Sequence, residues 1–227
     1  MEAARQCVRC VLDTSDKADL DFDPAGICNH CRSYDRQIEQ LPPTPELRAA
    51  AFRQKIDRIK YEGRSQQYDC ILGLSGGVDS SYLAWIAKKE GLSPLVVHFD
   101  NGWNSELAVA NIERIVTKLG FDLKTYVIEW SEFRELQLAY LRASVIDIEV
   151  LTDHAINGAL MRLALADGIR FVLSGNNVAT EGVLPFSWTY RKSDHINIKD
   201  IHRRYGRGRI KTYPFYDFDT KQRVKTA

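Results

Sequence analysis

The sequence predicts an α/β protein, a doubly wound and mostly parallel sheet preceded by a small metal-binding module. Three observations predict it. From Tyr68 onward, short β-rich runs (YDCILGL, PLVVHF, LKTYVI, IRFVLS) alternate with stretches of helical periodicity, and strand–helix alternation of this kind builds parallel sheets. One apolar run stops abruptly at two glycines in CILGLSGGVDSS (70–81), the pattern of a strand that feeds a ligand-holding turn and then a helix. At the front, Cys7, Cys10, Cys28 and Cys31 form two C-x-x-C pairs with seventeen residues between them, the spacing of a zinc ribbon or knuckle.

Composition bounds the rest. With 227 residues, 44% hydrophobic and 27% charged, the chain can bury one good core beside a small appended module. A net charge of +1 argues against coating nucleic acid or membrane by bulk electrostatics. No apolar stretch reaches the roughly 18 residues of a membrane span, and MEAARQC lacks the apolar centre of a signal peptide. The expected home is the cytoplasm, where metal binding or catalysis accounts for cysteines better than disulfides do.

The expected domains are a four-cysteine module over 1–41 and the α/β domain over 42–227. Between the cysteine pairs the chain is rich in Asp, with Pro24 and Gly26, and has few apolar residues, so metal rather than a core supplies the folding energy. Zinc held by Cys7, Cys10, Cys28 and Cys31 is the leading reading; an iron–sulfur cluster and incidental thiols are the alternatives. After a proline cluster at 42–45, Thr44 and Pro45 read as N-cap and first-turn proline of a helix over 45–61. Further helices place Ala108, Ile112, Ile115 and Leu119 on one face, and Phe133, Leu136, Tyr140 and Ala143 on another. A third runs from Asp153 to Asp167, where Gly168 ends it.

In a parallel sheet, ligands bind beyond the carboxyl ends of the strands, so the loops at 75–81, 100–105, 129–132 and 174–182 are where chemistry is expected. In the first, Gly76 and Gly77 are read as positive-φ residues that turn amides inward and admit an anion. The helix starting near Val78 aims its dipole at the same spot. Ser75, Ser80 and Ser81 add hydroxyls. Asp79 would repel bare phosphate and so implies a bridging Mg²⁺, making the ligand a polyphosphate with its metal. The alternative is a tight packing turn. Neither G-x-x-x-x-G-K-[ST] nor G-x-G-x-x-G is present.

S-G-G-V-D-S resembles the signature of the PP-loop ATP pyrophosphatases, within the adenine nucleotide alpha hydrolase-like fold. That resemblance implies ATP cleaved between its α and β phosphates and AMP attached to a substrate oxygen, followed by attack of ammonia or of sulfur. Cys70, the one cysteine outside the quartet, lies in the strand before the loop and reads as a buried hydrophobe. Ammonia is therefore favoured over sulfur transfer, and a separate protein must supply it. The segments CVRCVLDTSD, FDPAGICNHC, LGLSGGVDSSYLA, VHFDNGWNSELAVANIE, LTDHA, SGNNVATEG and IKDIH together resemble the bacterial N-acetyl sugar amidotransferases. By that resemblance the substrate is an N-acetyl sugar, UDP-linked or otherwise nucleotide-linked, whose acetamido group becomes an acetamidino group for lipopolysaccharide or O-antigen synthesis. Ammonia comes from a glutaminase–synthase pair. Members continue past residue 227, so the end of this chain reads as a truncation or a short variant.

On this reading Ser75, Gly76, Gly77, Asp79, Ser80 and Ser81 grip pyrophosphate. Phe99, Asp100 and Asn101 receive adenine and ribose, with an ordinary strand-end turn as the equal alternative. Asp153 is expected to meet metal or ammonia and His154 to shuttle a proton, against a simple N-cap at Thr152 or Asp153. Gly175 and Asn176 approach the nucleotide, while Asn177, Thr180 and Glu181 orient sugar or ammonium, unless the loop merely caps itself. Eight basic residues between Arg191 and Lys211, against two aspartates, are read as a solvated face, or as a mobile lid in which Arg203 and Arg204 hold the diphosphate. A thiolating enzyme of tRNA and a non-catalytic nucleotide-binding regulator are the rival functions. No membrane partner is expected, nucleic acid is disfavoured, and homo-oligomer formation is left open.

Overall fold

The computed structural model describes residues 4–16, 19–181 and 185–226. The chain divides into two compact units, the first comprising Met1–Arg53 and Asn176–Tyr190, the second Gln54–Gly175 and Arg191–Ala227. This differs from a single boundary near residue 41. The first unit reclaims a stretch of fifteen residues from the middle of the chain, which no local composition change announces.

In the first unit, single antiparallel bridges join Gln6 to Asp13 and Phe22 to Cys28. Helix α1 (Asn29–Glu39) starts on Cys28, whose Sγ accepts the Cys31 amide. Helix α2 (Pro45–Gly63) begins in this unit as its sequence predicts, with Thr44 Oγ1 accepting the Leu47 amide at 3.3 Å. Leu12, Leu20, Phe22, Ile27 and Trp188 gather around the cysteines, and the Trp188 indole N–H donates to the Asp16 carbonyl.

The second unit is the sheet domain. Its strands are β1 (Cys70–Gly73), β2 (Pro94–Asp100), β3 (Asp122–Val127) and β4 (Val172–Leu173). They are all parallel, in the order β3-β2-β1-β4. Alternation sorts the side chains into two layers. Leu72, Leu74 and Val96 join Ile56, Ala84 and Ile112 on one face, while Ile71, Leu95 and Val97 join Leu160, Ala164 and Ile169 on the other. Helices α3 (Val78–Lys89) and α4 (Glu106–Leu119) thus cover one side and α6 (Val150–Asp167) the other, the doubly wound arrangement that the near-continuous apolar strands predict. The chain winds outward from β1 to β3 and returns to set β4 on the far side of β1. The reversal of strand order therefore falls between β1 and β4, and the loop after β1 stands at that switch point.

Three elements depart from the sequence reading. β4 is only two residues long, because the run IRFVLS pairs with β1 at Val172 and Leu173 alone. Helix α6 begins at Val150 rather than near Asp153; the Asp153 amide already bonds the Glu149 carbonyl at 3.0 Å, so neither Thr152 nor Asp153 is the cap. The basic segment is largely ordered as α8 (His195–Tyr205), packed on α5 (Trp130–Arg142). Beyond it, α9 (Phe218–Thr226) closes the described chain. Among the described residues no helix is long and apolar enough to cross a membrane.

Candidate functional site

The phosphate-type loop is built from both ends of the β1–α3 connection. Gly76 has φ +77, and a Cβ there would collide with the carbonyl of Ala108 in α4; only glycine meets both demands. Gly77 differs from expectation. Its φ of −80 and ψ of 169 are extended, and it serves as N-cap of α3. The first-turn amides of α3 follow it, and like those of any helix they have no acceptor within the helix. From α4, Asn111 Nδ2 reaches the Gly76 carbonyl at 3.4 Å. From β4, Gly175 comes so close that a Cβ would sit 3.1 Å from the Ser80 nitrogen. The sheet order thus brings Ser75, Gly76, Gly77, Asp79, Ser80, Ser81 and Gly175 to one place.

The hydroxyls are occupied inside the loop. Ser80 is buried, its Oγ lying 3.0 Å from Ser75 Oγ, accepting the Ser75 amide at 3.2 Å and donating to the Gly77 carbonyl. Ser81 Oγ donates to the same carbonyl at 2.6 Å. The serines therefore act on the loop's shape, and the groups left to meet an anion are the main-chain amides of the α3 first turn. Asp79 stands exposed in that turn.

After β2 the strand ends in a tight turn that holds Phe99, Asp100 and Asn101. Asp100 Oδ1 accepts the Gly102 amide at 2.9 Å and Asn101 Oδ1 accepts the Trp103 amide at 3.1 Å, two Asx turns in succession. Phe99 stacks on Tyr126 with ring centroids 5.5 Å apart. Asn104, which the sequence reading passed over, ties this turn together by donating to the Phe99 carbonyl and Asp100 Oδ1. Its place in DNGWNS was the only signal it gave.

The expected proton shuttle is a structural pin. His154 is fully buried, its Nδ1 at 2.8 Å from the Lys192 carbonyl and its Nε2 accepting the Tyr216 amide at 2.9 Å. An acceptor role at Nε2 puts the proton on Nδ1, so both nitrogens are committed to backbone and the ring is neutral. Burial, only partly offset by the Lys192 carbonyl, pushes its pKa down to about 4. Asp153 forms an ion pair with Lys192 at 3.1 Å, which also pairs with the buried Asp147 at 2.9 Å. That places Lys192 in a fixed triad instead of a lid.

The segment after α8 is likewise held. Glu132, in the first turn of α5, accepts the amides of Lys211, Thr212 and Tyr213 and the Thr212 hydroxyl, at 2.8 to 3.1 Å. Although burial opposes it, these donors hold the Glu132 carboxyl below its ordinary value. Tyr213 is buried and donates its hydroxyl to the Leu151 carbonyl at 2.7 Å. This strap lies against α6 so closely that a Cβ on Gly158 would overlap the Pro214 carbonyl.

Of the fourth loop, Gly175 belongs to the second unit and Asn176, Asn177, Thr180 and Glu181 to the first; Gly182 lies outside the described residues. Within the first unit the loop caps itself. Asn177 Oδ1 accepts the Ala179 amide at 3.0 Å, Glu181 Oε2 accepts the Asn177 amide at 3.3 Å, and Thr180 Oγ1 donates to the Asn177 carbonyl. Together they start the short helix α7 (Val178–Glu181).

The four cysteine sulfurs all lie within 4.8 Å of one another, with Cys10 and Cys28 Sγ 3.7 Å apart. A tetrahedral zinc thiolate site needs S···S separations of about 3.8 Å, so the set fits zinc. The amides of Arg9 and Cys28 point at Cys7 Sγ at 3.4 and 3.3 Å. Burial tends to raise the Cys7 pKa, but these amides outweigh it and bring it to about 6, whereas burial pushes Cys31 well up. One thiolate forms readily, and a cation is what would hold four. Cys70 is buried, donates its thiol to Asp69 Oδ1 at 3.1 Å and has a raised pKa chiefly from burial; it is no nucleophile.

The protein is a parallel, doubly wound α/β sheet with an amide-lined, glycine-shaped loop at its switch point. Residues 67–177, just under half of the chain, match the model described as asparagine synthase. No curated protein matches the chain. Among solved structures, the chain resembles an NH3-dependent NAD synthetase from Campylobacter jejuni in complex with the nitrate ion, with 15% identity over 67% of this chain and 70% of that one and a TM-score of 0.46. It also resembles a predicted subunit of tRNA methyltransferase from Methanocaldococcus jannaschii, with 19% identity over 69% and 74% and a TM-score of 0.36.

Proposed function

We propose that the protein is an ATP-dependent carbon–nitrogen ligase that converts the acetamido group of an N-acetyl sugar into an acetamidino group, releasing AMP and pyrophosphate. The observation that carries this reading is the β1–α3 loop, where Gly76 and Gly77 leave the α3 amides open to an anion and Asp79 stands beside them. The amide oxygen of the substrate attacks the α-phosphorus of ATP, expelling pyrophosphate. Ammonia adds to the resulting imidate carbon, and AMP leaves with the former amide oxygen. Main-chain amides stabilise the charge that develops on the departing phosphates, and a Mg²⁺ held by Asp79 would neutralise the remainder. Among the described residues no exposed thiol is fit to take ammonia from glutamine, and in this proposal the ammonia comes from a separate glutaminase. The setting is the cytoplasmic stage of surface glycan assembly.

The test incubates the protein with ATP, Mg²⁺, ¹⁵N-ammonium and candidate UDP-N-acetyl sugars, and follows pyrophosphate release together with the substrate mass. Sugar-dependent pyrophosphate and a labelled amidine are expected, reduced at least about 100-fold in Asp79→Ala by loss of the metal-holding charge. Pyrophosphate release that ignores the sugar, or equal turnover by Asp79→Ala, overturns the proposal. Nucleotide turnover stimulated by tRNA instead points to the thiolating rival.

A further inference from the structure

The cavity between the end of α8 and the strap that follows it has no role in the reaction above. It has a volume of about 640 Å³ and is lined by Lys199, His202, Arg203, Arg209, Lys211 and Phe215, with the backbone of Gly206, Gly208 and Ile210. Four permanent cations and a histidine face it, and no carboxylate lines it. By contrast, the cavity at the amino ends of β1 and β3 has about 520 Å³ and mixes Lys124 with Asp122 and Asp167.

We infer that the α8 cavity is a binding site for a small phosphate-bearing ligand. The acids nearby are already engaged. Asp200 pairs with Arg203 and Arg204 along the helix, Glu135 with Arg142 and the Arg207 amide, and Glu132 with the amides of the strap. Basic residues in the last turn of a helix commonly complement its dipole, which accounts for His202 and Arg203. Arg209 and Lys211 lie beyond the helix, on a segment anchored by Glu132, and face the same space. Asp200 already shares Arg203, and bringing Lys199, Arg209 and Lys211 together beside it costs free energy unless an anion shares them. Lys199 lies over the Phe215 ring, 4.7 Å from its centroid, which leaves an apolar wall beside the charges.

The backbone is shaped for close approach. Gly208 has φ +71 and nothing within 4 Å of where a Cβ would be, so its conformation needs glycine while its surroundings leave room. A diphosphate is small enough to meet several of these cations at once, and arginine is suited to bidentate contact with its oxygens. Glu132 of α5 already holds the strap at Lys211–Tyr213, so little chain has to be fixed on binding. The site separates the basic residues that the sequence grouped together: Lys192 belongs to the Asp147–Asp153 triad, and Arg204 and Arg207 do not line the cavity. The inference holds whatever reaction the β1–α3 loop carries, so it stands apart from the acetamido-sugar reading.

The experiment is hydrogen exchange of the full chain with and without inorganic pyrophosphate, with calorimetric titration alongside. Because pyrophosphate can also meet the β1–α3 loop, location decides. Protection of peptides covering 199–211 is expected, lost in Lys199→Gln/Arg209→Gln with at least about a tenfold weaker affinity for that event and an unchanged thermal midpoint. Lys211→Gln, which keeps the backbone bond to Glu132, provides a second and milder variant. Protection confined to 75–81, or affinity unchanged in both variants, overturns the inference. So does binding of an RNA through these residues with no response to pyrophosphate.

Discussion

Lowering the pH should unfold this protein partly through one histidine. His154 is neutral in the fold because both of its nitrogens serve the backbone and its surroundings are apolar, with a pKa of about 4, whereas the released side chain titrates near its ordinary value of 6.5. The folded pKa is depressed, so the unfolded state takes up the proton first. The stabilisation is complete above 6.5, falls as the pH drops below it, and is exhausted below about 4. With about 1.4 kcal/mol for each tenfold ratio, the single-site binding curves give a loss of about 2 kcal/mol between pH 7 and pH 5, and about 3 kcal/mol by pH 4. Urea denaturation at pH 7 and pH 5 on the parent and on His154→Gln measures it. The variant should be weaker at pH 7, through lost hydrogen bonds and packing, but its further fall to pH 5 should be smaller by about 2 kcal/mol. The subtraction removes other titrating groups such as His195, whose pKa is also lowered, chiefly by burial. A histidine-ring NMR titration requires no variant. A His154 signal with a midpoint between 6 and 7 would refute the argument.

Gly158→Ala sets two effects against each other: about 1 kcal/mol gained from helix propensity, and a methyl forced into the Pro214 carbonyl of a strap held on either side at Tyr213 and Tyr216. Overpacking of this kind costs typically about 1–3 kcal/mol or more, so calorimetry should show a lower melting temperature; a rise would mean the strap does not press on α6. Glu132→Gln removes the charge from four hydrogen bonds, with an expected cost of about 2 kcal/mol and faster amide exchange at 211–213, whereas unchanged exchange would remove Glu132 as the anchor. Metal analysis should find one zinc per chain, lost in Cys28→Ser. Chelation should unfold the cysteine module while the sheet domain keeps its circular dichroism, since the module has only a few apolar residues around the ion; a metal-free protein with a protease-resistant N-terminus would refute this.

Much of the sheet domain was legible because parallel strands covered on both faces read as apolar runs, and glycines end their helices in the left-handed region at Gly120 and Gly168. The cysteine set was legible because coordination geometry is written directly into spacing. The Asp153–His154 pair misled because a buried histidine bonded at both nitrogens and a catalytic histidine have the same letter. What separates them is Tyr216 and Lys192, dozens of residues away along the chain. The same distance hid Glu132, whose partners are about eighty residues ahead.

The sequence by itself determined the strands, most helices, the two C-x-x-C pairs and the place of the phosphate-type loop, since each depends on local periodicity, on turn chemistry or on ligand spacing. Tertiary structure alone decided that Gly76 turns while Gly77 stays extended, that the serines bond within their own loop, and that the basic segment is a seated helix with a cation-lined cavity. Those outcomes depend on which distant backbone comes to lie beside each residue, and only the folded chain brings them into contact.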